Sequence, residues 1–175
     1  RKMMNYYCNP MNLEYRYQFF KLKKDGKMLD QNSLDEDGGL CEGHREAADP
    51  SLILFKGKYY LFPSVPAGFF TSSDLLTWEF HKFIGPIPMY DYAPDVRAAG
   101  DYLYFSASGM MKDCSFFRTK DPETEPFEEI KGAFPFWDPN LFVDDDGRVY
   151  FYWGCSNVTP IYGVELDPAT MKPLG

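Results

Sequence analysis

The chain has 175 residues, a formal net charge of -8 and 18% aromatic residues. That charge argues against nucleic acid or an anionic membrane as partner, because a phosphate-binding surface needs clustered Lys and Arg; the one basic cluster, Lys21, Lys23 and Lys24, is followed at once by Asp25. No stretch approaches the ~18 consecutive apolar residues of a membrane helix, and Arg1-Lys2-Met3-Met4 does not lead into the apolar run of a signal peptide.

With 16 Phe and 13 Tyr, the chain has more aromatics than a core of this size requires. Some are therefore expected on a ligand surface, where they would cover the flat C–H faces of sugars. Cys8, Cys41, Cys114 and Cys155 are widely spaced with no CxxC, so zinc is not expected, and free thiols or one or two disulfides both remain open.

Residues 1–47 fit no repeat and are read as an N-terminal segment. The stretch from Asn9-Pro10 to Phe20 offers a strand, and 30–43 reads as a polar loop rich in turn formers. From residue 48 the pattern changes. Three segments open on a proline: Asp49-Pro50-Ser51-Leu52-Ile53, Ala93-Pro94-Asp95-Val96-Arg97 and Asp138-Pro139-Asn140-Leu141-Phe142, with the prolines 44 and 45 residues apart. A four-stranded propeller blade repeats at roughly 40–45 residues. The fold expected is all-β, with residues 48–175 forming about three blades of an incomplete β-propeller. Propellers close with about 4–8 blades, so the chain is expected to need further C-terminal blades or to self-associate.

Each repeat reads as strands in chain order. The first has 52–55, a Lys56-Gly57-Lys58 turn, 59–62, 68–71 and 78–82. The second has 96–99, a Gly100-Asp101 turn, 102–106, 115–119 and 127–130. The third has 141–143, the Asp144-Asp145-Asp146-Gly147 turn, 149–153 and 161–166, with no room for a fourth strand. The third strands end on Asp74, Asp121 and Asp167, which can close turns through their own side chains.

A strand alternates its faces. Leu52, Val96 and Leu141 are placed on the face of the prolines, for packing between blades. The other face begins Asp49-x-Ser51, Ala93-x-Asp95 and Asp138-x-Asn140, which sets polar groups around the mouth of a central channel. A single Asp-Pro most often just closes a turn, the reading given to Asp121-Pro122 and Asp167-Pro168. Asp49 and Asp138 differ because they share one repeat position.

Arg45-Glu46-Ala47-Ala48-Asp49-Pro50, Tyr92-Ala93-Pro94-Asp95-Val96 and the run from Asp138 through Gly147, followed by Tyr150 and Gly154, resemble glycoside hydrolase family 43 in order and spacing. The resemblance runs from about Arg45 to Gly175. It implies a five-bladed propeller that hydrolyses arabinofuranosyl or xylosyl linkages in plant oligo- or polysaccharide with inversion. It further implies Asp49 as general base and Asp138 as the carboxylate that orients the general acid and raises its pKa. The family's acid is a Glu opening the fourth blade, one repeat beyond Asp138 and so past Gly175; Glu165 lies too late in its repeat for that role. The 175 residues alone are accordingly expected to be inactive.

Such an enzyme uses one carboxylate to deprotonate water and a carboxylic acid to protonate the leaving oxygen, roughly 6.5–9.5 Å apart. A neighbouring negative charge keeps the acid protonated. No metal or organic cofactor is required. Arg45, Tyr92, Asp95 and Trp137 are the expected sugar contacts, with core packing an equal reading for Tyr92 and Trp137, and pairing with Glu46 a second one for Arg45. His44 reads as a loop residue. The run Asp144-Asp145-Asp146-Gly147 lacks calcium-loop spacing, and Asn157-Val158-Thr159 is a weak sequon because Pro160 follows. The rival reading from another class is a non-catalytic sugar-binding propeller, which would not need two symmetry-related carboxylates. A WD-type interaction propeller is disfavoured because Trp137-Asp138 begins a strand instead of ending one.

Overall fold

The structure is a computed structural model that describes residues 13, 17–18, 40–41, 49–64, 68–85, 87, 93–108 and 113–175. Among these there is no helix. Two short strands, β1 (Tyr17–Gln18) and β2 (Leu40–Cys41), pair antiparallel, so the polar loop expected over 30–43 contributes a strand.

The rest is three antiparallel meanders. Blade 1 comprises β3 (Ser51–Phe55), β4 (Lys58–Phe62), β5 (Gly68–Ser72) and β6 (Glu79–Lys82), each paired with the next. Blade 2 comprises β7 (Asp95–Ala99), β8 (Tyr102–Ser106), β9 (Cys114–Thr119) and β10 (Glu128–Phe134). Blade 3 has three strands, β11 (Asn140–Val143), β12 (Val149–Trp153) and β13 (Tyr162–Leu166). These sheets are successive blades of a β-propeller, of which the chain covers part.

The local causes match the residue types. Lys56 and Gly57 both take positive φ (47° and 84°), the backbone that lets a two-residue hairpin follow strand twist. Asp74 accepts the N–H groups of Leu76 and Thr77 at 2.8 Å each, Asp121 that of Glu123 at 3.0 Å and Asp167 that of Ala169 at 2.7 Å. Each Asp-led turn is thus closed by its own carboxylate.

Stacked sheets bury both faces of the middle blade. Phe62, Phe69 and Ile53 of blade 1 pack with Val96, Leu103, Phe105 and Phe117 of blade 2 in one core. Tyr104 and Phe116 on the other face of blade 2 pack with Leu141, Val149, Phe151 and Leu166 of blade 3 in a second. Much of the aromatic surplus goes here: Phe62 meets Phe69 and Phe105 at centroid distances of 5.1 and 5.2 Å, and Phe136 meets Phe151 at 4.7 Å. Large rings suit this joint because two twisted sheets leave a thick wedge to fill, and their offset and edge contacts add to the area buried.

Val96 and Leu141 are buried between blades as expected. Leu52, at the same repeat position, is 46% exposed, because Ile53 and Phe55 carry the face of β3 that meets blade 2 and Leu52 lies on the other.

Blades 1 and 2 are also joined by polar groups at the end of the strands opposite the prolines. Lys58 donates to both carboxylate oxygens of Glu123 (2.7 and 2.9 Å), and Tyr60 donates to the same group at 3.0 Å. Burial pushes the Glu123 carboxyl up, but the bonds from Lys58 and Tyr60 outweigh it and hold the group below the usual range. The Tyr60 hydroxyl is pushed up, by burial first and then by Glu123.

Candidate active site

The three residues that precede the repeat prolines share an uncommon backbone. Asp49, Ala93 and Asp138 have φ of 46°, 54° and 47°. Steric contact between Cβ and the carbonyl makes this region unfavourable for L-residues; Asp tolerates it better than most, Ala does not. A following proline ordinarily drives its predecessor to an extended conformation. Strain of this kind is of order 1–3 kcal/mol per residue and persists where surrounding contacts over-determine it.

For Ala93 and Asp138 those contacts come from the preceding blade. The Ser64 hydroxyl, just after β4, accepts the Ala93 N–H at 3.1 Å. The Ser108 hydroxyl, just after β8, accepts the Asp138 N–H at 2.9 Å. Both serines are buried. Ser64 also reaches Asp49 within its own blade, donating to Oδ2 at 3.5 Å. Asp49 and Asp138 are exposed, so each presents a carboxylate from a positive-φ corner just before the first strand of its blade; the Asp138 corner is held by blade 2, and blade 2 has Ala93 at its own corner.

A second set of bonds lies three residues further on. The Ser51 hydroxyl accepts the Val96 N–H at 3.1 Å, and Asp95 Oδ2 accepts the Leu141 N–H at 2.6 Å. Ser51 donates to Asp95 Oδ1 at 3.5 Å, and Arg97 Nη2 lies 3.2 Å from the same oxygen. Arg97 Nε donates to the Leu141 carbonyl at 2.9 Å, so both backbone polar groups of Leu141 end on side chains of β7.

This corrects two expectations. Ser51 and Asp95, placed by alternation at the channel mouth, are spent on joining one blade to the next. Asp95, expected as a sugar contact, has a side chain 6% exposed with both oxygens engaged by protein groups. Burial pushes its carboxyl up to about 6, against the lowering pull of the Leu141 N–H, Arg97 and Ser51. Alternation along one strand cannot reveal that the adjacent blade's backbone offers an unpaired N–H there, and the bond satisfies that buried donor. Asn140, the third residue of the set, is exposed.

Trp137 is 37% exposed beside Asp138, and its carbonyl accepts the Gly154 N–H at 2.8 Å while neighbouring Phe136 is buried. Arg45 and Tyr92 lie outside the described residues. Ser64 and Ser108 were not singled out from the sequence, although a signal exists: each stands fourteen residues after its repeat's proline, while in the third repeat, whose hairpin is one residue longer, strand pairing puts Gly154 there.

The sequence profile of glycosyl hydrolases family 43 matches residues 43–175. The chain belongs to this family. Among its family 43 relatives is the β-D-galactofuranosidase xynD of Aspergillus niger, 29% identical over 143 residues that cover 61% of this chain and 42% of that protein. The xylosidase/arabinosidase 43A of Humicola insolens is 31% identical over 144 residues, 61% of this chain and 43% of that one. The chain thus spans less than half the length of these curated relatives. The solved structure of the Bacillus subtilis arabinanase Arb43A superposes with a TM-score of 0.60 at 22% identity, covering 75% of this chain and 55% of that chain, which shows the shared fold.

Proposed function

We propose that the protein carrying this chain is an inverting glycosidase for arabinofuranosyl or xylosyl linkages in plant oligo- or polysaccharide. In this reading Asp49 is the general base, and Asp138 is the carboxylate that orients the general acid and keeps it protonated. The observation that carries it is the pairing of two exposed carboxylates at one repeat position, each on a backbone corner with positive φ. A turn-closing aspartate requires no such symmetry. The name of the Humicola relative, a xylosidase/arabinosidase, supports the substrate class, and that of the Aspergillus relative adds galactofuranosides to the substrates worth testing.

Asp49 would deprotonate a water on one face of the sugar, while a carboxylic acid on the other side protonates the leaving oxygen. That acid is assigned to a glutamate opening the following blade. Asp138 beside it disfavours its ionised form by like-charge repulsion, so it remains a proton donor near neutral pH. Trp137, half-exposed next to Asp138, would lay its ring against a sugar face, and Arg45 and Tyr92 would complete the contacts.

The test is made on the intact protein with aryl α-L-arabinofuranoside, β-xyloside and β-galactofuranoside, reading product anomer by NMR. Asp49→Asn is expected to lower turnover by about 10²–10⁴ while sugar binding persists, because only water activation is lost. Wild-type turnover in that variant would refute the base assignment, and product of retained anomer would refute inversion.

A further inference from the structure

The chain from Asp138 to Leu141 is gripped at both ends by blade 2. The Asp138 N–H goes to the Ser108 hydroxyl at 2.9 Å, and the Leu141 N–H goes to Asp95 Oδ2 at 2.6 Å. Between them Pro139 has a locked φ. Few torsions are then left to decide where the Asp138 side chain starts. Ser108 is 1% exposed, so its oxygen is the fixed point and not a mobile surface group. The same device recurs one blade earlier, where Ser64 holds the Ala93 N–H at 3.1 Å. The fold of a blade does not itself demand this serine, since strand pairing puts Gly154 at that position of the third repeat, which still forms β12.

We propose that Ser108 is a positioning residue for Asp138: its buried hydroxyl holds the Asp138 backbone at positive φ and so sets the carboxylate at its working distance from the general acid. This rests on the reading of Asp138 given above. Without the hydroxyl, the Asp138 N–H loses its acceptor. The proline-imposed preference for an extended backbone is then unopposed at that point, and the carboxylate moves. A displaced negative charge raises the acid's pKa less, so the acid ionises at lower pH and the basic limb of the kcat profile shifts toward acid.

The experiment compares kcat and KM against pH in the intact protein for wild type, Ser108→Ala, Ser108→Thr, Asp138→Asn and the double variant Ser108→Ala with Asp138→Asn. Ser108→Ala is expected to lower kcat roughly tenfold, the scale of one lost hydrogen bond. KM should change little, and the basic limb should shift in the same direction as in Asp138→Asn but less. Ser108→Thr keeps a hydroxyl and restores the profile. In the Asp138→Asn background, Ser108→Ala should move the limb no further, since the charge it places is already gone.

If Asp138→Asn shifts the limb while Ser108→Ala lowers only the melting temperature, the positioning role is overturned and the role of Asp138 stands. If Asp138→Asn leaves the limb in place, both fall. Should Ser108→Ala fail to fold, Ser108→Cys keeps the volume with a weaker acceptor, and an unshifted limb there overturns the proposal equally.

Discussion

Asp95 shows how a single carboxylate can serve architecture and weaken it at the same pH. Its bonds to the Leu141 N–H and Ser51 join blade 2 to its neighbours and Arg97 of its own strand pairs with it, yet burial pushes its pKa up to about 6 from 3.8. With the folded pKa above the unfolded one, the native state holds the proton more tightly between about pH 4 and 6. Stability from this group therefore falls as pH rises through that window, the opposite of a salt-bridged carboxylate with a lowered pKa. Asp95→Asn keeps an oxygen for the Leu141 N–H and removes the charge. Its stability relative to wild type should improve from pH 4 to pH 7 by up to ~3 kcal/mol, two pKa units at 1.36 kcal/mol each. Urea midpoints of both proteins across that range measure it, and a difference that does not change with pH would contradict the buried charge.

Among elements, β10 departs most from a regular strand. Its register against β9 breaks between Ile130 and Phe134, and the Gly132 N–H turns to the Ser115 hydroxyl at 3.3 Å. A methyl group at Gly132 would overlap the Cys114 carbonyl oxygen, so the bulge exists only because this residue has no side chain. Gly132→Ala must push β9 and β10 apart and is expected to destabilise by about 3 kcal/mol or more, read as a fall in melting temperature; an unchanged value would mean the strands separate at no cost. The expected fourth strand of blade 2 stopped at 130, because period-two alternation ends where a bulge begins. The remaining strands of the blades were legible to within two residues at each end. Their apolar runs are bounded by Lys56-Gly57, Gly100-Asp101 and the aspartate-led turns, all short-range signals.

At the scale of the molecule, the two outer blades differ from the middle one. Blade 1 exposes Leu52 and Leu54 at 46% and 55%, and blade 3 exposes Phe142 and Tyr152 at 47% and 43% on the face opposite Leu141 and Phe151. The equivalent faces of blade 2 are covered on both sides. Apolar sheet faces of this kind associate in water, and an open meander adds unpaired strand edges. Residues 1–175 expressed by themselves are expected to self-associate, with a light-scattering mass above the 20.3 kDa of one chain. A stable monomer would show that these faces are tolerated in water.

The sequence by itself determined most of the strands, the blade repeat and the shared repeat position of Asp49 and Asp138, because these follow from spacing along one chain: proline to proline, apolar to apolar, glycine at a turn. Tertiary structure alone decided what those spacings meet across the blade joint. Asp95 looked like a channel residue from the alternation of β7, and only the neighbouring Leu141 N–H made it a joint. Ser64 and Ser108 were not singled out in the sequence, and only the corners of Ala93 and Asp138 gave their hydroxyls a task. The recurrence of these serines after the repeat prolines marks their positions but not their partners, which lie 29 and 30 residues further on in the next blade. Each bond depends on two sheets being brought together by their phenylalanine cores, and that step belongs to packing.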